Sequence, residues 1–336
     1  MTEIQGYNQP TPQTNNATSG LELASAALLR AKKVLITTHI NPDGDAIGSA
    51  LGLAHILWSM GKEADVVSQD GAGQRYQFLP GSERILTDAE GEYDTGIAVD
   101  CANAGRTGSV CGSLLACPTV IRVDHHAVGQ SFGDIEYMDT RAAAVGEMIT
   151  EIADHMGARI PREAGVCLLA SIVEDTGCFQ FSSASERTFQ ICSELVASGA
   201  DFHWVVQKLF WSVPTGALRL RGKLLDKMNL EADGRLAWTL ASDKDLEEYG
   251  AIHEDMDEVA HDLLRGDKVE VAVLLRETSK DYRVSLRSKS VVNVAEAARQ
   301  FGGGGHALAA GCRISRTEGA LESLIESLGA ALKNSD

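Results

Sequence analysis

Val34-Leu35-Ile36-Thr37-Thr38-His39-Ile40-Asn41-Pro42-Asp43-Gly44-Asp45-Ala46-Ile47-Gly48-Ser49 starts as an apolar run of strand length and breaks at an Asn-Pro pair. From Ala46 to Met60 the residues Ile47, Ala50, Leu51, Ala54, Leu57 and Trp58 recur at helical spacing. A second strand-like run, Ala64 to Ser68, follows. Strands expected at 96–100, 119–123 and 134–138 then alternate with helical or loop segments, and helices are expected at 142–156 and 162–173. This alternation predicts an α/β fold with a doubly wound parallel sheet.

His39, Asp43 and Asp45 follow the first apolar run, Asp100 follows Gly96 to Val99, Asp124-His125-His126 follows Thr119 to Val123, and Asp175 follows Leu168 to Val173. Side chains at the carboxyl ends of strands in an open α/β sheet converge on one crevice, so four clusters placed alike predict a single site. Taken alone, a His-His pair is an accident of surface or core, and an Asp-Gly-Asp is a turn; four in order reverse that reading. So many carboxylates cannot share a dry cleft unless cations neutralise them. Histidine and carboxylate ligands without thiolate suit borderline to hard ions such as Mn²⁺. Two such ions can clamp the attacking and leaving oxygens of an in-line phosphoryl displacement, which points to metal-assisted hydrolysis of a phosphate ester.

The 336 residues are too many for one core of ordinary size, and 44% hydrophobic with 23% charged residues is the balance of a soluble globular protein. The chain is read as a polar tail over 1–20, expected to be disordered, a catalytic domain over 21–185, a helical linker over 186–230, and a smaller α+β domain over 231–332. It has no long apolar span and no leader pattern in its first twenty residues. Its seven cysteines lack a C-x-x-C pair, and a cytoplasmic location is expected. The net charge of −17 argues against a protein that coats long nucleic acid. A local gathering of Arg276, Arg283, Arg287, Lys289, Arg299 and Arg313 leaves room for a small anionic substrate. In the same region Gly302-Gly303-Gly304-Gly305-His306 closes a helical segment, and its glycines would let a phosphate or ribose come close to the backbone.

The segments 38–49, Val99-Asp100, Val123-Asp124-His125-His126 and Glu174-Asp175-Thr176-Gly177 resemble the four ordered motifs of the DHH phosphoesterases. Arg287-Ser288 and Gly302 to His306 resemble the DHH-associated C-terminal domain. The two-domain size is most similar to the RecJ-like branch of nanoRNases (oligoribonucleases) and 3′-phosphoadenosine 5′-phosphate phosphatases. The resemblance implies an active-site cleft between the domains and two divalent ions, Mn²⁺ above all. One would be held by His39, Asp43 and Asp100, the other by Asp45, Asp100, His125 and Asp175, with Asp100 bridging. His126 would contact the scissile phosphate or protonate the leaving oxygen, and Asp124 would fix a ligand imidazole. Arg287, Ser288, Gly303, Gly304, Gly305 and His306 would bind a terminal phosphate. Family members often carry Ser or Thr in the region where this chain has 139–147, Ala144 included, so a polar contact made there in relatives is not expected here.

The expected substrates are short RNA and nucleotide bisphosphates, without long nucleic acid or a membrane as partner; a homodimer is left open. Cyclic or linear di-AMP is the second reading. A pyrophosphatase would not need the glycine-histidine pocket, and a RecJ exonuclease would carry an added oligonucleotide-binding domain. A nucleotide-binding regulator without turnover is the alternative of another class, and the full set of expected ligands speaks against it.

Overall fold

The apolar run after Lys33 forms the first strand of the sheet in this computed structural model, which describes residues 14–256 and 258–334. The chain divides into two compact units between Ser212 and Val213. The first unit contains, in order, α1 (Thr14–Arg30), β1 (Lys33–Thr37), α2 (Gly44–Ser59), β2 (Glu63–Val67), β3 (Thr95–Val99), α3 (Cys111–Leu115), β4 (Thr119–Asp124), β5 (Ile135–Met138), α4 (Val145–His155), α5 (Arg162–Asp175), α6 (Glu186–Ala197) and α7 (Phe202–Phe210). Its five strands are all parallel in the order β2-β1-β3-β4-β5. The chain winds outward from β1 to β2 and then returns to β3, which makes the gap between β1 and β3 the topological switch point.

Strand alternation divides the sheet's side chains between two cores. Val34, Ile36, Ile97, Val99, Ile121 and Val123 lie in the larger core with apolar residues of α1, α2, α4 and α5. Leu35, Ala98 and Val120 pack on the other face with Tyr93, Leu114 and Cys117. Helix α1 was not anticipated. It begins inside the stretch read as a tail, and Ala24, Ala27 and Leu28 bury one face of it; residues 1–13 lie outside the described residues. The fourth apolar run, Leu168 to Val173, lies within α5, where a helix was expected over 162–173, so Asp175 comes to the site from a helix C-terminus and not, like the other clusters, from a strand end.

Helices α2 and α5 approach unusually closely because α2 carries glycines four residues apart. A Cβ at Gly44 would lie 1.8 Å from Glu174 Oε2, at Gly48 2.5 Å from the Cys167 carbonyl oxygen, and at Gly52 2.4 Å from Leu168 Cδ2.

The second unit contains α8 (Thr215–Asp226), β6 (Asn229–Glu231), β7 (Leu236–Ala241), α9 (Asp243–Tyr249), α10 (Val259–Leu264), β8 (Val271–Glu277), β9 (Asp281–Ser288), α11 (Val294–Gln300), β10 (Gly304–His306), β11 (Ala309–Ser315) and α12 (Ala320–Lys333). Its six strands run in the order β10-β11-β9-β8-β7-β6, with β7 and β8 parallel and the remaining pairs antiparallel. One face of the sheet supplies Val271, Val273, Leu275, Val284 and Leu286 to a core with α11 and α12. Among the described residues no helix is long and apolar enough to cross a membrane.

An exposed helical Gly→Ala exchange ordinarily stabilises by about 0.5–1 kcal/mol. At Gly48 the new methyl meets the backbone of α5, so Gly48→Ala is expected to destabilise by about 1–3 kcal/mol in urea unfolding. A gain in stability would show that the two helices can move apart freely.

Candidate metal centre

The register of the sheet aligns the first three clusters. Thr37 pairs with Ala98 and Val99 with Val123. His39 and Asp100 therefore lie two residues beyond one paired position, and His125 lies two beyond the other. Asp100 closes β3 by donating its N–H to the Val123 carbonyl (3.0 Å), and it adopts the left-handed conformation (φ 54°). Few non-glycine residues occupy that region, and such strain gathers where a side chain must be aimed.

Each neighbouring histidine is turned by a carbonyl. His39 Nδ1 lies 2.9 Å from the Ile40 oxygen and His125 Nδ1 3.0 Å from the Ala142 oxygen. A carbonyl only accepts, so each Nδ1 carries a proton and each Nε2 is the atom offered to the cluster. His39 Nε2 is 3.3 Å from Asp100 Oδ2 and 3.8 Å from Asp43 Oδ1. His125 Nε2 is 3.6 Å from Asp175 Oδ2, 3.7 Å from Asp100 Oδ1 and 3.8 Å from Asp45 Oδ2.

Asp43 and Asp45 flank the start of α2. Asp43 is its N-cap and accepts from the Ala46 N–H (3.0 Å). The buried Asp45 carboxylate accepts from the Val145 N–H (2.9 Å), the Gly146 N–H (3.3 Å) and the Ser171 hydroxyl (2.5 Å). Ala144 gives α4 no side-chain cap, so Asp45 supplies that function from another helix. The polar contact missing at Ala144 is thus furnished by a carboxylate of the cluster itself.

Three candidate ligand sets result among the described residues, each with its donor atoms within 4.8 Å of one another: His39, Asp43 and Asp100; Asp45, His125 and Asp175; and Asp100, His125 and His126. The fit to divalent cations rests on this oxygen and imidazole donor set and on Asp100 Oδ1, a buried oxygen without a hydrogen-bond partner. A cation would satisfy it. Without a cation, the cluster would hold protons in its place. Burial pulls the His39 pKa down, but its hydrogen bonds to Asp100 and Asp43 win and push it up to about 10. Burial likewise opposes His125, and the charges of Asp45, Asp175 and Asp100 raise it to about 9. Burial and then the Asp100 charge push Asp45 up to about 7.

Asp124 fixes an imidazole, but that of His126 and not of a residue expected to be a ligand. Its Oδ1 lies 2.7 Å from His126 Nδ1 and accepts the His126 N–H at 3.1 Å. Burial would raise the Asp124 pKa, yet the hydrogen bonds from His126 and Arg122 hold it at about 2, ionised throughout the neutral range. His126 is also 3.3 Å from Asp100 Oδ1, so it borders the ligands as well.

Arg122 was missed from sequence. It is buried and donates to Asp124 Oδ2 (2.5 Å), Glu136 Oε2 (3.2 Å) and the carbonyls of Cys101 (2.8 Å) and Gln130 (3.2 Å). The signal was present: Arg122 and Asp124 stand two apart on β4 and share a face. Ser171, the other missed partner, lay in an apolar helix with nothing to mark it.

In the second unit Arg287 pairs with Ala309, and Ala309 pairs with His306. Arg287 and His306 therefore occupy one row across β9, β11 and β10 on the same face of the sheet. Ser288, by alternation, belongs to the face opposite Arg287; it is buried and its hydroxyl donates to Glu270 Oε1 (3.4 Å). The glycine run is also differently used. A Cβ at Gly303 would lie 2.1 Å from the Gly311 oxygen, and one at Gly305 2.5 Å from the Ala309 oxygen, so these two are required by close approach to β11. Gly302 and Gly304 face open space, Gly302 with a positive φ of 73°.

The sequence matches the DHH family, N-terminal domain, over residues 33–172 and the DHHA1 domain over residues 235–334. The chain is 31% identical over 283 residues to the bifunctional oligoribonuclease and PAP phosphatase NrnA of Thermus thermophilus, covering 84% of each protein. It is 26% identical over 314 residues to the cyclic-di-AMP phosphodiesterase GdpP of Geobacillus thermodenitrificans, covering 86% of this chain and 45% of that one. The crystal structure of an exopolyphosphatase-related protein from Bacteroides fragilis superposes with a TM-score of 0.86 at 26% identity, over 95% of this chain and 96% of that one. The chain belongs to the DHH family of phosphoesterase hydrolases, and the cluster is a candidate site for divalent cations.

The raised groups give the metal-free protein a definite pH dependence. Asp45 lifted from 3.8 to about 7 makes the metal-free fold lose stability as pH rises through that window. His39 and His125, lifted from 6.5, stabilise it fully below 6.5, and that contribution is lost as pH rises through about 9 to 10. Ligands must shed these protons to bind a cation. A saturating divalent cation is therefore expected to raise the melting temperature of metal-stripped protein more at pH 8 than at pH 6. Equal shifts at the two pH values would contradict the protonated cluster.

Proposed function

We propose that this protein hydrolyses short oligoribonucleotides to mononucleotides and 3′-phosphoadenosine 5′-phosphate to AMP, with two divalent ions, Mn²⁺ being the best match to the donor set. The observation that carries the reading is Asp100, a strained and buried carboxylate common to two of the three ligand sets. The substrate class draws its support from the kinship with the Thermus enzyme. In this reading His39, Asp43 and Asp100 hold one ion, and Asp45, Asp100, His125 and Asp175 the other. When bound, the ions supply charge neutralisation and in-line alignment at the scissile phosphate.

The remaining roles belong to the chain's own groups. Ionised Asp124 keeps His126 Nδ1 protonated and its ring fixed, so that Nε2 can contact the scissile phosphate or deliver a proton to the leaving oxygen. Arg287 and His306, from one row of the second sheet, grip the substrate's terminal phosphate. The fold, composition and lack of a membrane-spanning helix among the described residues are in keeping with work in the cytoplasm.

Parallel assays on a ribodinucleotide, 3′-phosphoadenosine 5′-phosphate, cyclic di-AMP and pyrophosphate, each with metal-stripped protein and added Mn²⁺, test the assignment. The first two should turn over and pyrophosphate should not. Faster turnover of cyclic di-AMP would replace the reading, and turnover of none would leave a nucleotide-binding regulator. His126→Ala should lose about two to four decades of rate while both ions stay bound; loss of one ion per chain would make His126 a ligand. Arg287→Ala should raise KM for the bisphosphonucleoside, which offers a second phosphate to the guanidinium, and spare a small aryl phosphodiester, which offers none. Equal losses on both would assign Arg287 to the fold.

A further inference from the structure

Away from the ligands, one arginine gathers three carboxylates. Arg187, in the first turn of α6, places Nη1 2.6 Å from Asp139 Oδ2, Nη2 2.6 Å from Glu151 Oε2 and Nε 3.6 Å from Glu147 Oε2. Glu147 is fully buried and Asp139 nearly so. Tyr137 adds a hydroxyl donor to Glu151 Oε2 at 2.5 Å. Burying such a group is costly, and double contact with a planar guanidinium is the arrangement that offsets it best.

Two of the three carboxylates shape the segment that serves the ligands. Asp139 Oδ1 accepts the Arg141 N–H (3.0 Å), and the Ala142 N–H returns to the Asp139 carbonyl (3.1 Å). That turn aims the Ala142 carbonyl at His125 Nδ1. Glu147 Oε2 accepts the Ala143 N–H (3.2 Å), which fixes the approach to Val145 and Gly146, the donors to Asp45. Glu151, more exposed, bonds Tyr137 and Arg187 without entering the turn.

We propose that Arg187 is a positioning residue that holds the 139–144 turn in place, and through it His125 and Asp45, so that the ion site of Asp45, His125 and Asp175 depends on it. The site of His39, Asp43 and Asp100 does not. This rests on the two-ion reading above. Without the guanidinium, Asp139 and Glu147 repel one another across the turn, the Ala142 carbonyl shifts, and His125 loses its orientation.

The test titrates Mn²⁺ into metal-stripped full-length protein, followed by calorimetry and by the electron paramagnetic resonance of the bound ions. Arg187→Met should weaken one of two binding events about 10- to 100-fold, leave the other near wild type, and turn a spin-coupled pair signal into that of isolated Mn²⁺ at one equivalent. Asp139→Asn keeps an oxygen for the Arg141 N–H but loses the charge toward Arg187, and it should weaken the same event; it decides the matter if Arg187→Met does not fold. Glu151→Gln removes an ion pair of Arg187 outside the turn and should leave both events unchanged. Equal weakening of both ions, unchanged affinities with only a lower melting temperature, or an effect of Glu151→Gln as large as that of Arg187→Met would each overturn the positioning role. Wild-type protein that binds one ion only would overturn the two-ion reading itself, and with it the selectivity claimed for Arg187.

Discussion

The first unit is organised around a buried carboxylate. Asp45 sits in the first turn of α2, takes two N–H groups from the start of α4 and a hydroxyl from Ser171 on α5, and so ties three helices at one point. An ionised carboxylate in such a place would ordinarily be expelled or protonated. Here the N-terminal dipole of α4 and three donors favour the charge, while burial and Asp100 oppose it, and the balance leaves the group poised near neutrality. A cation in the cluster tips that balance toward the ionised form. Fold and metal are therefore linked through one side chain.

That junction can exist only because α2 and α5 come close enough for Ser171 to reach Asp45. Gly44, Gly48 and Gly52 make the approach possible, and Gly146 at the start of α4 continues it, since a Cβ there would lie 2.2 Å from Ser171 Oγ. The same packing brings the C-terminal end of α5, and hence Asp175, to the cluster. Glycine in the Asp-Gly-Asp segment is thus a packing requirement first. The turn it sits in, with Asp43 as cap, is a consequence of the helix that follows.

The parallel sheet and the clustering of carboxylates and histidines were legible because they obey short rules: strand-length apolar runs, a helix after the first turn, charges just past each strand. His39, Asp43, Asp45, Asp100 and His125 were readable for that reason. Asp175 follows a different rule, because Leu168 to Val173 belongs to the helix expected over 162–173 and the residue reaches the cluster from a helix C-terminus instead of a strand end. Helix α1 was hidden by the polar composition of its neighbours, although Ala24 and Leu28 keep helical spacing. Helix α12, with Leu324, Leu328 and Leu332 buried along one stripe, was equally readable and was passed over beside the more conspicuous glycine run. Carbonyls that orient the histidines leave no trace in side-chain identity, so Ile40 and Ala142 could not have been found from sequence.

The second sheet shows how one sequence signal can have two causes. Arg287 and Ser288 are neighbours in the chain, yet the pleat sends them to opposite faces, and only Arg287 shares a row with His306. Four successive glycines read as a cradle for a ligand, but two of them are required by the backbone of β11 before any ligand is considered. Gly303 and Gly305 let the short edge strand β10 lie against β11, and that pairing is what brings His306 level with Arg287. The glycines thus contribute to the Arg287–His306 row indirectly, by allowing the strand that carries the histidine to form. Substitution at Gly303 would be felt in the position of His306 through the displaced backbone of β11.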